Sequence, residues 1–161
     1  LAAMDGRRTF ATEDKNSKVL FYLQSGASEP VQLMGSEFTT DEATTTLSVG
    51  YYDPDIADAE ALVRIYFYRA NEGLAFDYKT DPATSIRLLQ LGGDGTAALP
   101  SGPLTLTQLQ DPSLALPIVS GRLRKIRVPV ATGTQYMFIE ITQKKDFDKI
   151  WTAPVWLTRR P

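Results

Sequence analysis

Short stretches of apolar–polar alternation run through this chain from Lys18 to Leu157, broken at intervals of about ten residues by Gly, Pro, Asn and Asp. A period of two places successive side chains on opposite faces, so each stretch reads as a strand with one face turned to a core. Lys18 to Gln24 sets Val19, Phe21 and Leu23 against Leu20 and Tyr22. Thr44 to Tyr52 sets Leu47, Val49 and Tyr51 against Thr46, Ser48 and Gly50. Ala61 to Arg69 places Val63, Ile65 and Phe67 opposite Arg64, Tyr66 and Tyr68, and Gln135 to Thr142 alternates Met137, Ile139 and Ile141 with Tyr136, Phe138 and Glu140. Further strands are expected over Arg7 to Thr12, Val31 to Met34, Leu74 to Lys79, Ser85 to Leu91, Leu116 to Val119, Arg122 to Val130 and, as one terminal strand, Trp151 to Leu157. No amphipathic helix of useful length is visible after Gly6 beyond a turn within Ile56 to Ala61. This pattern predicts an all-β, immunoglobulin-like antiparallel sandwich. The strand order of residues 80–121 stays open at this level.

At the start, Leu1-Ala2-Ala3-Met4 reads as the last turns of a helix that ends near Asp5-Gly6. Residues 1–17 are therefore expected to be a helix end and linking strand from a preceding domain, and residues 18–161 the sandwich. With 161 residues the chain is long enough to bury a core without a disulfide or metal.

Two absences narrow the chemistry. The chain has no His and no Cys, which excludes thiolate catalysis, Cys-based metal sites and every Ser-His-Asp arrangement within it. No Gly-x-Ser-x-Gly elbow is present either. Carboxylate pairs can still run glycosidase-like acid–base chemistry, but nothing in the linear sequence picks out such a pair. A net charge of −2 gives no pull toward nucleic acid or an acidic membrane surface, and no stretch approaches the ~20 apolar residues of a membrane-spanning helix.

Four groups remain as candidate sites. Asp53, Asp55 and Asp58 crowd one inter-strand loop; this is first a solvated turn, and a structural Ca²⁺ held by the three carboxylates is its functional alternative. Tyr52, Tyr66 and Tyr68, with Tyr51 nearby, offer rings for stacking a sugar, although cross-strand aromatic pairs also stabilise sheets without a ligand. Arg122, Arg124, Lys125 and Arg127 form a basic strand, best explained as a sheet edge guarded by charge. Tyr136 suits a tyrosine corner, and Trp151 and Trp156, five positions apart on one strand, are expected on opposite faces.

Two segments carry a family resemblance. One is Arg7-Arg8-Thr9-Phe10-Ala11-Thr12-Glu13-Asp14-Lys15-Asn16, with Met34-Gly35-Ser36 further on; the other is Tyr136 to Gln143 followed by Trp151-Thr152-Ala153-Pro154-Val155-Trp156-Leu157. Together they resemble the C-terminal part of PHP-type metal-dependent phosphoesterases, especially the CehA/McbA-like metallohydrolases. The chain departs from that pattern in its hairpin turn, Lys144 to Lys149, and in lacking the His residues on which the family's metal site depends. The resemblance therefore implies a non-catalytic accessory domain that stabilises or caps a catalytic barrel of the same polypeptide. The transition metals would belong to that barrel, with no cofactor in this chain. Arg7, Arg8, Glu13 and Asp14 would sit at the junction through polar pairs, and a periplasmic or extracellular setting is expected. The alternative is an independent carbohydrate- or protein-binding module of a secreted or surface protein, with no nucleic acid or membrane insertion involved.

Overall fold

The computed structural model describes residues 9–66, 115–130 and 132–161 in full, and the backbone alone of 67–69, 86–88, 90–91 and 97–98. Its strands are β1 (Phe10–Thr12), β2 (Lys18–Gln24), β3 (Gln32–Leu33), β4 (Glu37–Thr40), β5 (Thr44–Tyr52), β6 (Glu60–Arg69), β7 (Ile86–Leu88), β8 (Gln90–Leu91), β9 (Ala97–Ala98), β10 (Leu116–Val119), β11 (Arg122–Pro129), β12 (Gly133–Gln143), β13 (Lys149–Thr152) and β14 (Val155–Arg159). A single 3₁₀ turn, Ile56–Asp58, stands between β5 and β6.

The protein is an all-β sandwich of two sheets, as the alternation requires. The smaller sheet runs β11-β5-β2-β3 and is antiparallel throughout. The larger has β12 at its centre, with β6 along one side and β13 then β14 along the other. Outside these lie β1 against β13, β4 against β14, and β10 and β7 against β6. Strands β8 and β9 pair as a separate ribbon.

The inner faces supply the core. Phe21, Leu23, Leu47, Val49, Ile126 and Val128 come from the smaller sheet; Val63, Ile65, Met137, Ile139, Ile141, Ile150, Val155 and Leu157 come from the larger. Each such side chain, fully buried, contributes about 1.5–3 kcal/mol relative to exposure. A one-residue slip of any strand would turn its whole apolar set to solvent, so this burial also fixes register.

The expected strands over residues 18–24 and 44–52 are found with those bounds, and their core-facing residues are those the alternation indicates. Basic β11 is the terminal strand of its sheet among the described residues. Of the strand expected over Arg7 to Thr12, Phe10–Thr12 is β1, hydrogen-bonded to β13 at an edge of the larger sheet, and Glu13 N donates to Lys149 O at 3.0 Å. The helix end expected over residues 1–6, Arg7, Arg8 and the strand expected over 74–79 lie outside the described residues.

Two expectations are corrected. Trp151 to Leu157 is not one strand: Ala153 and Pro154 interrupt it, because Pro has no N–H to give to a ladder. At the gap the Thr152 hydroxyl takes the Ile139 N–H at 3.1 Å, and Pro154 O takes the Gly35 N–H at 2.8 Å. The break also shifts the alternation. Ile150 and Thr152 point inward before it and Val155 and Leu157 after it, so Trp151 and Trp156 lie on the same outer face rather than on opposite ones. Strand β4, absent from the sequence reading, is the second correction. Its one large apolar residue, Phe38, gives no alternation to detect, and it becomes a strand through parallel pairing with β14.

Phe21 and Leu20 are neighbours on β2, the first fully buried and the second 46% exposed. Phe21→Ala is expected to cost about 3–5 kcal/mol of unfolding free energy in urea melts. Leu20→Ala should cost less than about 1 kcal/mol. Similar losses for the two would refute this register.

Candidate functional site

Three chain crossings meet at one end of the sandwich: residues 13–17 before β2, residues 53–59 between β5 and β6, and the hairpin 144–148 between β12 and β13. Asp53 lies 5% exposed beneath them. Its Oδ2 accepts from Gln143 Nε2 at 2.8 Å and lies 2.6 Å from Ser17 Oγ and 3.3 Å from Tyr51 OH, while its Oδ1 accepts from Asp55 N at 2.8 Å. Asp14 joins the group through Ser17 Oγ at 2.7 Å and Gln143 Nε2 at 3.3 Å. The Ser120 hydroxyl spans the Asp53 backbone, accepting from N and donating to O, both at 2.9 Å. Because Tyr51 belongs to the smaller sheet and Gln143 to the larger, this knot ties the two layers where the apolar core ends.

Its electrostatics follow from the same bonds. The Asn16 backbone N–H, then the Ser17 hydroxyl, hold the Asp14 carboxyl down from 3.8 to about 2. Burial pushes Tyr51 up to about 12, and its hydroxyl donates to Asp58 O at 2.8 Å. The Tyr51 hydroxyl thus anchors main chain at a strand end.

The three carboxylates considered for calcium do not converge. Asp53 is turned into the knot, Asp55 caps the 3₁₀ turn by accepting from Ala57 N at 2.9 Å, and Asp58 faces Lys145 at 3.5 Å. Burial, then the nearby Asp146 charge, raise the Asp58 carboxyl, and Asp58 in turn raises Lys145. Among the described residues no group of three or more carboxylates is arranged to hold a metal ion. Glu13 and Asp14, expected at a domain junction, are bonded within the chain: Glu13 Oε2 accepts from Lys149 N at 2.9 Å, and Asp14 lies in the knot.

Nor do the tyrosines form one platform. Tyr52 stands on the smaller sheet and Tyr66 on the larger, and the Tyr68 side chain lies outside the described residues. Tyr66 is 6% exposed and stacks on Phe138 at 5.0 Å in a row that continues through Tyr136 to Trp156. Beside that row Glu140 gathers Arg64 and Lys149, each at 3.5 Å, and the Trp151 indole N–H at 3.2 Å. Rings packed on one another in this way, stacked at Tyr66–Phe138 and tilted at Tyr136–Trp156, add to the packing of the sheet.

The outer face of the smaller sheet is different. Leu20, Tyr52 and Leu123 stand on it 46%, 49% and 45% exposed. Cross-strand register places Leu20 and Leu123 on either side of Gly50, and Tyr52 opposite Lys18. Lacking a side chain, Gly50 leaves a shallow cavity of about 290 Å³ over its backbone. Further along β5, a second cavity of about 420 Å³ is lined by Gln24, Thr44 and Thr46 with Lys125, Arg127 and one acid, Glu42. The strands of this sheet carry Lys18, Arg122, Arg124, Lys125 and Arg127 and no Asp or Glu, although the chain's net charge is −2. The signal was present in sequence: Leu20, Tyr22 and Leu123 occupy the phase of alternation that should be polar. Weighing tyrosines by residue type rather than by register passes over it.

No family model and no curated protein matches this chain. Among solved structures it is similar to the PmoD soluble domain from Methylocystis sp. ATCC 49242 (Rockwell), at 10% identity and TM-score 0.43, over 91% of this chain and 95% of that one. It is also similar to an LPMO from Kitasatospora papulosa, at 12% identity and TM-score 0.35, over 78% of this chain and 52% of that one. The match thus spans about half of the LPMO chain. Likeness at this level carries no argument about function.

Two measurements check the knot. Gln143→Leu removes the donor shared by Asp53, Ser17 and Tyr51 and is expected to cost about 1.5–3 kcal/mol in urea melts. Asp14 titrates near 2 when folded and near 3.8 when unfolded, so the unfolded chain takes the proton first. Its contribution is present above the unfolded value and disappears as pH falls through that window. Asp14→Asn should therefore flatten the acid limb of a stability-against-pH curve between about pH 4 and pH 2. A limb of unchanged slope would contradict the assignment.

Proposed function

We propose that this chain is a non-catalytic docking module, a β-sandwich that holds a protein partner on the outer face of its smaller sheet. The observation that carries the reading is the exposed apolar centre Leu20, Tyr52 and Leu123 on a sheet whose strands carry cations and no Asp or Glu, in an otherwise acidic protein. An apolar centre inside a polar rim is the anatomy of protein interfaces. The absence of His and Cys from the sequence supports placing any chemistry in another domain or protein.

A second observation favours service beside a PHP-like catalytic barrel. The segments that carry that family resemblance lie together in space: β1 pairs with β13, Gly35 N donates to Pro154 O, and Trp156 N donates to Ser36 O at 2.9 Å. They act as one structural unit, at the edge of the larger sheet where the chain comes in from its N-terminal side. In that setting the sandwich is the accessory domain and the barrel supplies the metal chemistry.

Purified protein assayed with a chromogenic phosphodiester and added Mn²⁺ or Zn²⁺ is expected to show no turnover above the metal-only control. Robust turnover that survives repurification would overturn the non-catalytic reading.

A further inference from the structure

The outer face of the smaller sheet has two features that together define what fits it. Gly50, in the lining of the first cavity, and Thr46, in that of the second, are four residues apart on β5, about 13 Å at a strand rise of about 3.3 Å per residue. The first is walled by Leu20, Tyr52 and Leu123, the second by Gln24, Thr44 and Thr46 with Lys125 and Arg127 on one side and Glu42 beside Thr44. Lys18 stands over the Tyr52 ring at 5.9 Å, so a cation flanks the apolar end as well.

A polypeptide laid over a sheet face meets side chains only, because the sheet's own backbone groups are paired in its ladders. Its N–H and C=O groups must then be satisfied internally, which selects a helix over an extended strand. A run of about 13 Å corresponds to between two and three helical turns at about 5.4 Å per turn. The apolar centre calls for leucine or phenylalanine on the buried stripe, and the cations Lys18, Arg122, Lys125 and Arg127, against the single acid Glu42 among the residues lining the two cavities, call for carboxylates beside it. Shallow relief and aliphatic walls are poor for a small polar ligand. Nucleic acid would require aromatics interleaved with a denser positive charge.

Building on the docking reading, we infer that this face receives an acidic amphipathic α-helix. Its apolar stripe seats over Gly50 between Leu20 and Leu123, and its carboxylates meet Lys18, Lys125 and Arg127.

Gly50 makes the inference testable without unfolding the protein. A Cβ at this position would sit 3.5 Å from Leu123 Cδ1 and 3.6 Å from Leu20 Cβ, ordinary contact distances, so Gly50→Ala fills the floor and leaves the sheet intact. The probe is a synthetic helix of about 15–20 residues with leucines at helical spacing and glutamates elsewhere. Its controls are a scrambled peptide of the same composition and a version with lysine in place of glutamate. Titration by fluorescence anisotropy is expected to show binding of the glutamate helix alone. Gly50→Ala and Leu123→Asp should each weaken it at least about tenfold, with near-UV circular dichroism and melting temperature retained for Gly50→Ala. Lys125→Glu combined with Arg127→Glu should reverse the preference toward the lysine helix.

Equal binding of the scrambled peptide, or no response to the three variants, would overturn the inference. So would binding of heparin or duplex DNA at this face in place of the helix. These outcomes leave the phosphodiester assay untouched, so failure of the helix proposal is distinguishable from failure of the non-catalytic reading.

Discussion

The contact of two inner faces, Phe21, Leu23, Leu47 and Val49 against Val63, Ile65, Met137 and Ile139, decides the rest of the structure. Side chains on a strand alternate strictly, so choosing which residues are buried also chooses which are displayed. Burying Val49 and Tyr51 displays Gly50 and Tyr52; burying Phe21 displays Leu20. The surface assigned a docking role is thus the obligatory reverse of the core. Leu20, Leu123 and Tyr52 on that reverse side stay 45–49% exposed, whereas the aromatics on the outer side of the larger sheet pack on one another.

The polar knot has a separate task. A sandwich is held by apolar contact along its middle, but its ends must be closed by loops whose backbone groups need partners. Here a Gln side chain from the larger sheet reaches Asp53, Ser17 and Tyr51 around the smaller one, and Asp53 is satisfied on both oxygens. The Asp residues that look like a cation loop in linear sequence are in this way committed to structure. The arrangement concentrates negative charge at one end of the protein, where Asp55, Asp58, Asp146 and Asp148 lie together, and leaves the smaller sheet's strands without any.

Local pattern made most of the fold legible. Residues 18–24 and 44–52 alternate without interruption and became strands with those limits, because each buries one whole face. What escaped depends on distant partners. Glu37–Thr40 is a strand only because β14 lies beside it, and the two Trp residues share a face only because Pro154 breaks the ladder. Gln143 is separated from Asp53 by 90 positions, and no local signal joins them. The docking face was half legible: its apolar residues sit in the wrong phase of their strands, but the groove over Gly50 requires knowing that β11 and β2 flank β5.

Lysine footprinting with an amine-reactive label in the source cells, compared with the purified protein, tests the working face most directly. Lys18 and Lys125 lie on that face, while Lys144 and Lys145 lie on the hairpin at the acidic end and serve as internal references. The account predicts that Lys18 and Lys125 lose reactivity in the cell while Lys144 and Lys145 keep theirs. Full labelling of Lys18 and Lys125 in the cell, with protection confined to the hairpin lysines, would contradict it.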